Sequence, residues 1–213
     1  MKKRTKLVTI SSMIVILGLL VITIPTTEVG ALLIGSLSYS LNPTNEKLFE
    51  ICNEIFETRF VFAKREYYPK LFALPMEESI KVGGYDDSIL LPVRDFMLID
   101  YIFTYFYTQE YTEFQEIFAE YFDNFYSLYS LEYFITNFDF FGRSETEIRY
   151  IIVALEKGFL NIEGNDFISF SNSIKNYNMR ILILEKIGAT QELNDLTKEL
   201  EQYKEDYYNG TRG

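Results

Sequence analysis

The sequence predicts an all-α protein: an antiparallel helical-hairpin bundle or short irregular solenoid of about seven helices, preceded by one N-terminal transmembrane helix. Three observations carry this. Apolar residues recur at spacings of three and four in successive windows, the period of one helical face. Helix starts and stops are written in the chain, as in Ser144–Glu147, Gly142 and Gly188. The stretches between the periodic windows are short, which implies antiparallel neighbours.

The elements follow in order. Residues 1–6 are a basic start, with Lys2, Lys3, Arg4 and Lys6. Leu7–Ile24 is uncharged, and its length as a helix is about 27 Å, near the hydrocarbon thickness of a bilayer. Pro25 and Glu28 close it. The nearby positive charge all lies before this run, so the start is expected in the cytoplasm and the remainder outside, in a single-pass arrangement at the cell membrane. The alternative is secretion after cleavage near Ala31, where Val29, Gly30 and Ala31 supply small residues. Residues 25–45 read as a juxtamembrane connector, and 46–208 as the folded extracytoplasmic body, with a frayed tail at 209–213.

Asn42 is placed to cap a helix running to about Lys64, with Pro43 in its first turn and Leu48, Ile51, Cys52, Ile55, Phe56 and Phe60 on one face. Tyr67-Tyr68-Pro69 is expected to end or interrupt it. Residues 69–91 are rich in turn formers and read as a small hairpin or a long loop. Pro92 opens a helix to about Tyr107. Thr112 opens the next, with Gln115 placed to complete a capping box. A short helix is predicted over Leu131–Phe141. Ser144–Glu147 caps a helix through Phe159, Asp166 begins one that Gly188 ends, and Thr190 begins the last. In that last helix Leu193, Leu196, Leu200, Tyr203 and Tyr207 form a seam.

The stretch Asp95–Gly142 contains 19 Phe and Tyr residues and nine carboxylates, and no Lys, Arg or His. Nucleic-acid platforms interleave rings with basic residues that neutralise phosphates, so this composition excludes that class. A membrane-surface helix carries a basic polar face, which is also missing. Most of these rings are therefore expected to form a core, Phe114, Phe118, Phe122 and Phe125 first, with Tyr105, Tyr107, Tyr111, Tyr126, Tyr129 and Tyr133 at its rim, where hydroxyls find partners.

Net charge is −11, and the part after Ala31 carries −14. Such a body repels phosphate backbones and suits cationic partners. The absence of His and the single Cys52 remove Cys/His zinc sites and the nucleophile systems that need an imidazole. No cofactor is called for, and Cys52 reads as a small buried apolar residue.

The segments "YFYTQEYTEFQEIFAEYF" (Tyr105–Phe122) and "LEKIGATQELNDLTKELEQY" (Leu184–Tyr203) resemble the turn and second helix of a tetratricopeptide hairpin. Gly188 matches the family's turn glycine, whereas Gln109 stands at the equivalent place in the first segment. The resemblance implies a protein-binding scaffold without catalysis, and it transfers no site residues.

The predicted function is thus a non-enzymatic, membrane-anchored extracytoplasmic binding protein that captures a cationic peptide or protein partner. The candidate contacts are the carboxylate row Glu113, Glu116, Glu120 and Asp123, the tyrosines Tyr126, Tyr129 and Tyr133, and Tyr85, Asp86 and Asp87 in the irregular stretch. One alternative is a structural subunit of a membrane assembly, held through the anchor and the Leu193–Tyr207 seam. The other is a carboxylate-dependent glycan hydrolase, whose first suspects are Glu77, Glu78, Asp86 and Asp87.

Overall fold

The computed structural model describes residues 28–56, 60–86, 90–160, 162, 164 and 166–210. Among them lie ten α-helices and one 3-10 turn. They group into two compact units, Met1–Pro75 and Met76–Gly213. The predicted span 7–24 falls outside the described residues. Among those that are described, no helix is long and apolar enough to cross a membrane.

The first unit holds α1 (Glu28–Leu41), α2 (Asn45–Phe56) and α3 (Val61–Phe72). Helix α1 takes in residues predicted as connector, because it has a surface to pack on. Gly35 lies so close to α2 that an added Cβ would meet the Ile51 side chain at 3.2 Å. On its other side α1 leaves Leu33, Ile34, Leu37 and Leu41 exposed. The helix predicted from Pro43 to about Lys64 is instead divided between α2 and α3, with Phe60 outside both. Helix α2 begins at Asn45, and the cap is the Thr44 hydroxyl, which accepts from the Lys47 N–H, rather than Asn42. Pro69 does not end α3; it sits inside it. A proline there forfeits one backbone hydrogen bond, but Tyr68 and Leu71 beside it are fully buried, and burial of two such side chains outweighs that loss. Cys52 is wholly buried, and burial pushes its thiol up to about 12, against a smaller pull from Lys70. At neutral pH it is an inert apolar group, as the sequence suggests.

The second unit begins with α4 (Met76–Gly83), which occupies part of the stretch predicted as loop or hairpin. Beyond α4, Tyr85 forms an antiparallel bridge with Pro92. Helix α5 (Val93–Tyr107) is the centre of the unit, buried on nearly every side, and α4, α6 (Tyr111–Tyr121) and α7 (Leu128–Thr136) pack against it. Helix α8 (Glu145–Phe159) packs on α6, and α9 (Phe167–Ile187) packs on α7, α8 and α10 (Thr190–Tyr208).

The rings of the aromatic stretch fill this unit. Phe103, Phe106, Phe114 and Phe118 are at most 1 % exposed, and Phe122 and Phe125 are also buried. Phe103 meets Phe134 at 4.6 Å between centroids and Phe114 at 5.3 Å, and Phe106 meets Phe114 and Phe138. Each buried ring contributes about 2–3 kcal/mol, and tilted or edge-on pairs add about 1 kcal/mol. Arg143 closes one end of the cluster with its guanidinium over Phe106, Tyr107 and Phe138. Of the six tyrosines predicted at the rim, Tyr105 is instead buried, and its hydroxyl pairs with that of Tyr101 at 3.3 Å.

Local sequence sets most boundaries here. Ser144 and Glu147 form the predicted capping box, and Asp166 accepts the Ser169 N–H at the start of α9. The predicted Thr112–Gln115 box does not form: α6 starts one residue earlier without a side-chain cap, and the Gln115 side-chain oxygen accepts a hydrogen bond from the Lys157 ammonium instead. Helix α7 starts at Leu128, before the predicted Leu131, because extended Ser127 caps it by accepting the Tyr129 N–H. It ends where the Asn137 side chain donates back to the Tyr133 carbonyl at 2.7 Å.

The turns α5–α6 and α9–α10 close alike. Gln109 N–H donates to Phe106 O and Glu110 N–H to Tyr105 O; Gly188 N–H donates to Glu185 O and Ala189 N–H to Leu184 O. Both are Schellman closures with a left-handed residue, Gln109 at φ 62° and Gly188 at φ 71°. Gln109 thus holds a conformation that glycine adopts without strain. Gln109→Gly is expected to raise stability by about 1 kcal/mol, read from the urea midpoint at constant slope. Gly158 is the opposite case: a Cβ there would lie 2.4 Å from the buried Phe122 ring. Gly158→Ala is expected to lower stability by about 1–3 kcal/mol despite alanine's better helix propensity, in the same measurement.

Candidate functional site

The segment Phe122–Leu128, between α6 and α7, forms one wall of a cleft whose other wall is the end of α8 and the start of α9. The cleft has a volume of about 500 Å³, with Asp123, Tyr126 and Ser127 on one side and Leu160, Ser169 and Asn172 on the other. A smaller groove of about 220 Å³ adjoins it, sharing Tyr126, Ser127 and Asn172 and extending to Phe167, Ile168, Ser171 and Lys175.

A buried ion pair positions the first wall. Arg94 and Asp95, in the first turn of α5, are at most 1 % exposed, with Nη1 3.8 Å from Oδ1. Asp95 accepts the Tyr126 N–H at 3.0 Å, the Ser127 N–H at 3.2 Å and the Ser130 hydroxyl at 2.9 Å. Arg94 donates to the Asn124 carbonyl. Burial pushes the Asp95 carboxyl above the ordinary carboxylate range, while those donors and the Arg94 charge pull it down. Burial likewise lowers Arg94, against the pull of Asp95.

The predicted contact residues are placed as follows. Glu113, Glu116 and Glu120 are exposed along α6, and no described residue forms an ion pair with them. Asp123 continues the row on the 3-10 turn and reaches the cleft. Tyr126 is half exposed at the junction of cleft and groove, and Tyr85 meets its ring edge-on at 6.4 Å. A hydrogen bond to Tyr126 raises the Tyr85 phenol, with burial adding to it. Tyr129 is exposed, its ring 4.0 Å from the Lys175 ammonium. Tyr133 is exposed on α7 and touches Phe96, away from the cleft lining. Asp86 is half buried in the bridged loop, and Asp87 lies outside the described residues. The structure therefore brings Asp123, Tyr126, Tyr129 and Tyr85 into one neighbourhood and leaves Tyr133 apart.

Several residues that build the site carry no signal in the sequence. Lys175, Asn172 and Ser169 read as polar positions of an ordinary helix. Phe167 and Ile168 carry a faint one, since they fall just after the Asp166 cap. Both are largely exposed, at 72 % and 70 %. Glu77 and Glu78, suspects for hydrolysis, are exposed in the first turn of α4, outside both cavities. Asp123 is the one carboxylate among the described residues lining the cleft. The described residues include no group of three or more His, Cys, Asp or Glu side chains able to hold a metal ion.

Compared with protein-family models, with curated proteins and with solved structures, the chain matches none. Geometry alone therefore bears on function.

Removing one partner of a buried ion pair is strongly destabilising. Asp95→Ala takes the negative charge from beside Arg94 and the acceptor from two backbone N–H groups. It is expected to cost about 3–5 kcal/mol, measured by denaturant unfolding.

Proposed function

We propose that the chain is a non-enzymatic binding protein, anchored in the membrane by residues 7–24, whose helical body lies outside and captures a cationic peptide or protein partner. The observation that carries this reading is the course of the acidic row. Glu113, Glu116 and Glu120 run down the exposed side of α6, and the next member, Asp123, lines a cleft large enough for side chains of a partner. Basic residues would be drawn along the row while tyrosine rings at its end offer apolar and cation–π contact.

Other features support parts of the reading. The exposed apolar side of α1, with Leu33, Ile34 and Leu37, follows a few residues after the proposed anchor and suits a helix beside a lipid surface. The structural-subunit alternative relied on the Leu193–Tyr207 seam. Leu196, Leu200 and Tyr203 of that seam are buried, and Phe170 of α9 stacks on Tyr207 at 3.8 Å, so this face is used within the unit. Paired-carboxylate hydrolysis requires two facing acids, and the cleft lining offers one among the described residues.

The test uses the full-length chain in lipid nanodiscs and fluorescence anisotropy of labelled lysine- and arginine-rich peptides. Binding is expected to weaken strongly between about 0.05 and 0.5 M salt, as exposed charges are screened. The double variant Glu116→Lys, Glu120→Lys should weaken it about tenfold or more, equivalent to about 1.4 kcal/mol. Binding insensitive to both salt and charge reversal would refute the reading.

A further inference from the structure

Lys175 is the group in this region whose position the acidic row does not explain. It sits mid-helix on α9, only 9 % exposed, and lines the smaller groove. Its ammonium has three N–H donors. One reaches the Ser171 hydroxyl at 3.1 Å, and the ring of Tyr129 lies 4.0 Å away. No described carboxylate lies within ion-pair distance, and Glu132 acts only from farther off. Burial lowers the lysine from its ordinary value against that weak pull. Burying an ammonium costs several kcal/mol when no anion sits beside it. A neutral hydroxyl and a ring offset part of this, and an apolar side chain at the same place would avoid the cost altogether.

The rest of the groove shows what kind of anion fits. Ser127 from one wall and Ser171 and Asn172 from the other supply neutral polar groups, and Phe167 and Ile168 stand largely exposed at the edge with Tyr126. One ammonium among neutral groups balances one negative charge. A dianion would be left with excess charge in a strongly acidic body. The exposed Phe167 and Ile168 need an apolar cover attached to that charge. The volume, about 220 Å³, admits a single residue's bulk.

We propose that this groove is a carboxylate-binding subsite, taking the C-terminal carboxylate and last apolar side chain of the peptide partner, with Lys175 as the counter-ion. The proposal rests on the peptide-capture reading for the identity of the ligand, and on the groove alone for its chemistry.

Two measurements separate the two. First, a basic peptide ending in leucine is titrated into the full-length chain as the free acid and as the C-terminal amide. The free acid is expected to bind about tenfold more tightly, and Lys175→Met should erase the difference. Equal binding of acid and amide to the wild type, or a difference that persists in Lys175→Met, overturns the subsite. Second, 3-phenylpropionate and its amide are titrated against the isotope-labelled chain. The acid is expected to shift the backbone amide signals of Ser171, Asn172 and Lys175, and the amide is not. Absence of those shifts overturns the subsite whatever the peptides do. Shifts without binding of either peptide overturn the capture reading and leave a carboxylate site in place.

Discussion

The candidate site depends on the contact between the first turn of α5 and the segment that joins α6 to α7. Asp95 takes two backbone N–H groups and a hydroxyl from Tyr126, Ser127 and Ser130, and Arg94 holds the Asn124 carbonyl. As a source of stability the pair is poor, because burial opposes the charge on both partners and outweighs their mutual attraction. As a constraint it is strong. The segment between two short helices has few backbone bonds of its own, and donors and acceptors at fixed places on α5 satisfy three of its backbone groups, at Asn124, Tyr126 and Ser127. The same groups set where Tyr126 and Ser127 stand, and those two residues line both cavities.

The aromatic core acts on the same segment from below. Phe118 and Phe122 continue the ring contacts that begin at Phe103, and the Phe122 ring sits against Gly158 of α8 with no room for a methyl group. One wall of the cleft is thus fixed at its start by ring packing and at its end by the Asp95 carboxylate. The facing wall is fixed by the Asp166 cap and by Asn176, whose buried side chain donates to the Leu155 carbonyl at 2.8 Å. Asp95, Asp166 and Asn176 hold the walls from off the lining, whereas Phe122 both packs in the core and lines the cleft.

Much of the helical order was legible in the chain. The Ser144 box, the Asp166 cap and the Gly188 stop are local devices that act through neighbouring backbone, and each appears where its residues place it. The apolar face Phe114, Phe118, Phe122 and Phe125 was legible for the same reason: periodicity needs no knowledge of the partner helix. What escaped was decided by distant contacts. Pro69 stays helical because its neighbours are buried; α6 begins without a side-chain cap; α1 forms on the surface of α2. At the site, the exposed acids could be named from the sequence because exposure is what a carboxylate row ordinarily means. Arg94, Asp95 and Lys175 could not, because a charged residue on a helix is ordinarily solvated, and nothing local marks the ones that tertiary packing takes out of water.

That contrast sorts the charged groups by what they can do. An exposed row such as Glu113, Glu116 and Glu120 raises the local concentration of cations and hastens encounter, but each contact in water is weak and screened by salt. A buried ammonium acts at short range in a low dielectric, where one matched charge counts for much more and an unmatched one is costly. Opposite charges in two adjoining cavities, Asp123 in the cleft and Lys175 in the groove, also impose polarity. A chain with basic residues and a free carboxyl end can satisfy both in one direction only, since reversal would set its carboxylate against Asp123 and its cations against Lys175. Selectivity would then come from the mismatch that reversal creates as much as from the contacts the correct direction gains.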